Sequence, residues 1–391
     1  MKTRGFILVF FSALTFSLTA QNVDDILNLI ERNNTTLQAS RQMAEAEKIA
    51  NRTGLAPSNP AVDFAYLWGN PEAIGNRISF SVKQEFDFPS AYVYRNDMSK
   101  LKNEQAELNY EKTRQSILLE TRLLCYELLY HNAVHAELEQ RVQYAVKIVE
   151  AYKKSFDSGE SNILEYNKAQ LNLLNISKEI ESNEAKRQLL LAKLATLNGG
   201  KHVPFSATDW PLDVIPVDFD EWYAQAETKN PMLAWLSKEL ELAKKEVRLN
   251  TANAAPKLNT GYNLDYAVGT QHQGIMVGIS LPLWQDVNKV KCAKAKTVAT
   301  ENVLLDSKLQ FYNRLKYMHT KATVLQKSFV DYREKIRDVI NYEPLQNALD
   351  KGEISLIDYL MECTIYYDSY IKMLQLRKDA GVAYAEFAVY Q

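Results

Sequence analysis

The chain reads twice, and no other feature limits so strongly what it can fold into. Asn34, Leu37, Pro60 and Tyr66 return 196 residues later as Asn230, Leu233, Pro256 and Tyr262, and Ile78 returns at an offset of 197 as Ile275. Gly159-Glu160 with Tyr166 returns at an offset of 193 as Gly352-Glu353 with Tyr359. An offset held nearly constant across three separated regions marks two copies of one structural unit of about 195 residues. Each copy runs through a helix, two short strands, a very long helix, a tight turn and a helix back.

The first copy is expected over residues 21–198 and the second over 217–391, with a Gly- and Pro-rich linker containing Trp210 over 199–216. Ahead of both, Lys2 and Arg4 precede an apolar run from Phe6 to Leu18. Leu18-Thr19-Ala20 then offers a cleavage site, so residues 1–20 are expected to be a signal peptide and the mature protein to work outside the cytoplasm. Losing Lys2 and Arg4 takes the 46 basic residues to 44 against 48 acidic, a poor balance for nucleic acid.

Strict alternation predicts strands at about 61–68 and 77–88, and again at about 257–267 and 274–284, each pair a hairpin. Val62, Phe64, Tyr66 and Trp68 take one face of the first strand. Ile78, Phe80 and Val82 do so in the second, and Tyr262, Leu264 and Tyr266 in the third. The opposite positions are small or polar: Asp63, Ser79, Ser81, Lys83, Glu85, Asn259, Asn263 and Asp265. Aromatic-rich strands of this length in an extracytoplasmic chain fit a transmembrane β-barrel. Phe64, Tyr66, Trp68, Phe80, Tyr262 and Tyr266 are then expected to meet lipid, and the polar set to face a water-filled lumen. A soluble sandwich would put the aromatic face in a core instead.

Residues 90–155 and 287–349 contain no Gly, and no Pro before Pro344, so each stretch is expected to run as one helix of roughly 90 to 100 Å. Their apolar seams are narrow: Leu138, Val142, Ala145, Val149, Tyr152 and Phe156, answered on the returning helix (162–198) by Tyr166, Ala169, Leu173, Ile176 and Ile180. The second return (355–389) carries Ile357, Leu360, Thr364, Tyr367, Ile371 and Leu374. Alternating steps of three and four predict coiled-coil hairpins, solvated on most of their surface. At the turns, 156–161 and 350–354, Gly159 and Gly352 stand where helices end in a left-handed residue. Asn162 with Glu165, and Ser355 with Asp358, are in capping-box register.

Four membrane strands cannot close on themselves without unpaired backbone in lipid, so the chain is expected to oligomerise. Two copies give eight strands, a barrel filled by its own side chains, and three give twelve, enough for an aqueous lumen. The fold class is therefore mainly α with a small β part. A duplicated unit of helix, β-hairpin and long coiled-coil hairpin trimerises into an α-helical barrel capped by a 12-stranded transmembrane β-barrel.

With these residues in view, the whole mature chain resembles the TolC-type outer-membrane efflux factors. The marks are the duplication, Pro60 and Pro256 at the starts of the hairpins, and Gly159-Glu160 followed by Asn162-Ile163-Leu164-Glu165-Tyr166. The last is Gly352-Glu353-Ile354-Ser355-Leu356-Ile357-Asp358-Tyr359. The resemblance implies a homotrimer in the outer membrane of a Gram-negative bacterium, with its helical part in the periplasm. It implies a passive export duct whose partners are a periplasmic adaptor and an inner-membrane transporter. It places the adaptor at the tips, here Gly159, Glu160, Gly352 and Glu353, and acidic residues near a closed aperture, here Glu165 and Asp358. A further acidic position of the family is Met361, and its arginine and tyrosine latch positions hold Ile354 and Leu349, so that latch is not expected. Ser58-Asn59-Pro60 and residues 84–89 resemble the branch serving heavy-metal cation pumps. Drug efflux and type I secretion are alternatives within the class, and a soluble periplasmic coiled-coil spacer or adaptor is one outside it.

Nothing in the sequence supplies catalysis, a cofactor or a resident metal. His131 and His135 share a helix face at i, i+4, but no HExxH glutamate and no third ligand accompany them, so they are expected to be an exposed pair. Cys125, Cys292 and Cys363 have no CxxC spacing and are expected to be apolar packing residues.

Overall fold

The computed structural model describes residues 22–390 apart from 212, 283, 285 and 338; the expected signal peptide, 1–20, lies outside the described residues. The elements in chain order are α1 (Val23–Asn33), α2 (Thr35–Ala50), β1 (Ala61–Leu67), β2 (Arg77–Phe86), α3 (Pro89–Asp157), α4 (Ile163–Leu197), α5 (Phe219–Lys229), α6 (Pro231–Asn253), β3 (Lys257–Ala267), β4 (Thr270–Ser280), α7 (Lys289–Ile336), α8 (Tyr342–Asp350) and α9 (Leu356–Ala388). They fall into two units: one made of residues up to 33, 120–212 and 331–378, the other of 34–119, 213–330 and 379–391.

The second unit holds the β-structure. Its recurring Asn and Leu now have a physical cause. Asn34 caps α2 by accepting from the Leu37 amide at 2.9 Å, and Asn230 caps α6 by accepting from the amides of Met232 and Leu233, with Pro231 at the first helical position. Both caps are buried, and each Leu sits on the third residue of the new helix, turned inward. Trp222, Leu233, Phe311, Leu315 and Phe387 form this unit's apolar core, with Phe387 tilted on Trp222 at 4.0 Å. Polar ties add α2 and α6 to the start of α3: Lys48 to Glu107 at 2.7 Å, Lys245 to Asp97 at 2.6 Å and Gln105 to Glu239 at 2.9 Å.

The strands join into one antiparallel sheet in the order β1-β2-β3-β4, so the two hairpins are fused through β2 and β3. The fourth strand differs from expectation. It spans 270–280, not 274–284, because Val268 and Gly269, with φ of 48° and 80°, make a two-residue turn that starts β4 at once. Polar Thr270 to Gln273 therefore belong to the strand, and Pro282 follows its end.

The first unit is helical. Leu138 and Ala145 of α3, Ile176 of α4 and Leu374 of α9 share one core; Ile148, Ala169, Leu356 and Tyr359 share another nearer the turns. The seams of α3 and α4 are as expected over most of their length. That of α9 is displaced at its start: Leu356, Tyr359 and Cys363 face the core, while Ile357 is 45% exposed. The helix expected over 287–349 is two helices. Pro344 has no amide to bond the Ile340 carbonyl and its ring collides with that turn, so no helix runs through it unbroken; α7 ends at Ile336, and α8 restarts on the Asn341 cap with Pro344 in its first turn, where it is tolerated. The segment over 199–211 is no free tether: Val203 and Phe205 are buried, Asn132 donates to the Ala207 carbonyl at 2.8 Å, and Arg377 lies over Trp210.

Candidate functional site

Register across the sheet decides which side chains share a face. Phe64 lies opposite Phe80, and Phe80 opposite Leu264; Tyr66, Ile78 and Tyr266 line up likewise, as do Val62, Val82, Tyr262 and Ile275. Five of the six residues expected to meet lipid thus stand together, and Trp68, one residue past β1, packs edge-on to Tyr66 at 5.5 Å. Gln84, Thr260, Gln271 and Gln273 interrupt the apolar face, and Gln273 accepts from the Tyr262 hydroxyl at 2.7 Å. Among the described residues this face is uncovered: Phe64 is 68% exposed, Val277 71% and Ile275 84%. A soluble sandwich would have buried these positions. Among the described residues no helix is long and apolar enough to cross a bilayer.

The eight polar candidates occupy the other face. Asp63 is opposite Ser81 and Ser81 opposite Asn263; Ser79 is opposite Asp265, Lys83 opposite Gly261, and Glu85 opposite Asn259. Their charges are paired. Arg77 donates twice to Asp265, once at 2.8 Å, and Lys83 stands 3.4 Å from Asp63, which also accepts from Ser81. Lys257 lies 3.0 Å from Glu85 and 3.3 Å from Asp87, and Arg95 also reaches Asp87. Arg77 and Lys257 were not among the sequence candidates, although each sits at the polar phase of its strand's alternation.

The tips are built alike. At the first, the Gly159 amide bonds the Phe156 carbonyl and the Glu160 amide that of Ser155; at the second, Gly352 bonds Leu349 and Glu353 bonds Ala348. Each is a Schellman end with glycine at positive φ, 79° and 70°. Asn162 then accepts from the amides of Leu164 and Glu165, and Ser355 accepts from that of Asp358. The acids do not close the capping boxes in the same way. Glu165 pairs with Lys168 at 2.9 Å, and Asp358 accepts from the Ser355 hydroxyl at 2.6 Å. Gly159, Glu160, Gly352, Glu353 and Asp358 are exposed, as is Met361, while Leu349 and Ile354 pack in the apolar cluster beneath.

The break before α8 creates a polar contact that an unbroken helix concealed. Tyr342 donates to Glu137 of α3 at 3.1 Å, and burial pushes the Glu137 carboxyl above its ordinary value. The Arg141 guanidinium lies 3.8 Å over the Tyr367 ring and 3.6 Å from Glu179. His131 and His135 are not an exposed pair: Asn183 holds His131 at 2.7 Å, and His135 is 23% exposed beside Glu139. Among the described residues no group of three or more His, Cys, Asp or Glu is arranged to hold a metal. Of the cysteines, Cys125 is buried, its thiol pushed up to about 12 by that burial, Cys363 joins the core, and Cys292 is exposed rather than packed.

Known proteins sharpen this picture. Residues 26–200 match the family of outer membrane efflux proteins. Solved channels are similar in fold over nearly the whole chain. The Campylobacter jejuni CmeC outer membrane channel is 15% identical, with a TM-score of 0.76, over 95% of this chain and 85% of its own. CusC is 12% identical at 0.77 over 95% and 92%, and the open Neisseria gonorrhoeae MtrE outer membrane channel 12% at 0.71 over 95% and 88%. No curated protein sequence matches the chain. The first repeat thus matches the outer membrane efflux protein family, and over its described length the chain has the fold of solved outer membrane channels.

Proposed function

We propose that three copies of the chain close their sheets into a twelve-stranded barrel in the outer membrane and serve as the passive exit duct of a tripartite efflux pump. The observation that carries this reading is the uncovered aromatic face between two bare sheet edges. In lipid the face finds its solvent, but β1 and β4 would each leave a row of backbone groups unpaired, at several kcal/mol per group. Only neighbouring copies relieve both edges, and twelve strands leave room for water where eight would be filled. The tips at Gly159-Glu160 and Gly352-Glu353 are the surface offered to a periplasmic adaptor, which joins the duct to an inner-membrane transporter. Glu165 and Asp358 stand near the aperture. The transporter chooses the cargo, and heavy-metal cations are the finer reading drawn from Ser58-Asn59-Pro60 and residues 84–89.

Two measurements test this. Outer membranes solubilised in mild detergent are expected to yield a particle of three chains; a carbonate-extractable monomer would replace the duct with a soluble spacer. A deletion strain is expected to lose tolerance to zinc, cadmium or copper. Unchanged metal tolerance with new detergent or drug sensitivity moves the cargo to drug efflux.

A further inference from the structure

We propose that the polar face of the sheet makes the barrel end of the conduit indifferent to the charge of its cargo, and that Lys83 and Lys257 are the side chains that keep it so. The inference rests on the duct reading, in which this face borders the lumen. Every Asp, Glu, Lys and Arg of the four strands stands on the polar face, and each has an opposite charge within 3.4 Å. The pairs occupy three levels. Arg77 with Asp265 lies at the hairpin-tip end, Asp63 with Lys83 midway, and Lys257 with Glu85 and Asp87 at the helical end, where Arg95 completes a balanced quartet.

The physical consequence follows from range. A ring of uncompensated carboxylates projects its field over a screening length of about 10 Å at 0.1 M salt, far enough to act on solutes well away from the wall and enrich cations there. A pair whose charges are about 3 Å apart is a dipole, and its field fades much faster than that of a lone charge. Pairing also sets a lysine or arginine against each strand carboxylate, in competition with any cation in transit. Sorting by charge therefore falls to the aperture acids and the pump, and the barrel passes anions, cations and neutral solutes alike.

The test uses purified full-length protein in planar bilayers, with reversal potentials in a KCl gradient giving the potassium-to-chloride permeability ratio. The double variant Lys83→Gln, Lys257→Gln exposes Asp63 and Glu85 in every copy and is expected to shift the ratio about threefold or more toward potassium. Asp63→Asn with Glu85→Gln is expected to shift it comparably toward chloride, and both shifts shrink in concentrated salt. Single Lys83→Gln and Asp63→Asn variants, each expected to give a smaller shift of the same sign, serve if a double variant does not assemble. Ratios that stay at the wild-type value, or that move the same way in both variants, overturn the proposal. Failure of the wild-type protein to form channels at all counts instead against the duct.

Discussion

Putting one arginine on each face of β1 separates a membrane wall from a soluble sheet. Phe64 is the fourth of seven residues in β1 and lies on the aromatic face; its neighbour Ala65 lies on the polar face, opposite Ser79. At 68% exposure Phe64 buries little within its own chain, so in a soluble protein Phe64→Arg would change stability by only about 0.5 kcal/mol. In a barrel wall the same guanidinium meets hydrocarbon near mid-depth, at about 2–4 kcal/mol per copy and thus about 6–12 kcal/mol per trimer. Ala65→Arg points into water and is expected to be nearly silent. The assay is the amount of trimer recovered from outer membranes, together with the urea needed to dissociate it. Phe64→Arg is expected to abolish recovery and Ala65→Arg to preserve it. Equal recovery of the two variants would refute the assignment of faces.

Three further outcomes are expected. Burial raises the folded-state Glu137 carboxyl above its unfolded value, so the native state holds a proton that the unfolded chain has lost; this stabilising term is complete at low pH and disappears as pH rises through the raised value. Glu137→Gln keeps an acceptor for Tyr342 without the charge, so its unfolding midpoint should exceed that of wild type at pH 8 and converge on it below the ordinary carboxylate range. Gly159→Ala and Gly352→Ala add a methyl that meets nothing within 4 Å, so each should cost about 1–2 kcal/mol from backbone strain alone, read as equal losses in denaturant midpoint. Asn34→Ala and Asn230→Ala remove buried helix caps and should each cost about 1–2 kcal/mol, whereas the exposed cap variant Asn162→Ala should sit at or below the lower figure.

Local chemistry was legible in the sequence wherever one residue decides a conformation. Gly159 and Gly352 marked two Schellman ends, and the recurrence of Asn34 and Leu37 as Asn230 and Leu233 proved to be a cap followed by an inward-facing leucine. Period-two alternation assigned both faces of the sheet, because register preserves the phase of every strand. What stayed hidden depended on competition or on distance. Val268 is a poor residue for positive φ, so the turn it shares with Gly269 carried no recognisable signature and β4 was expected too late. Pro344 was visible, but its effect falls upstream, where α7 must already have ended. The Arg77–Asp265 pair joins residues 188 positions apart and exists only because β2 meets β3.

The bare margins of β1 and β4 have a consequence for the life of each molecule. A lone copy carries two unsatisfied strand borders and an oily flank open to solvent, an adhesive state that invites aggregation. In the proposed trimer, completion waits for two other copies, so yield should climb more steeply than expression at low levels, then turn to precipitate once export outruns insertion. If the duct reading holds, protection of these borders before assembly is as much a part of the protein's physics as the pore itself.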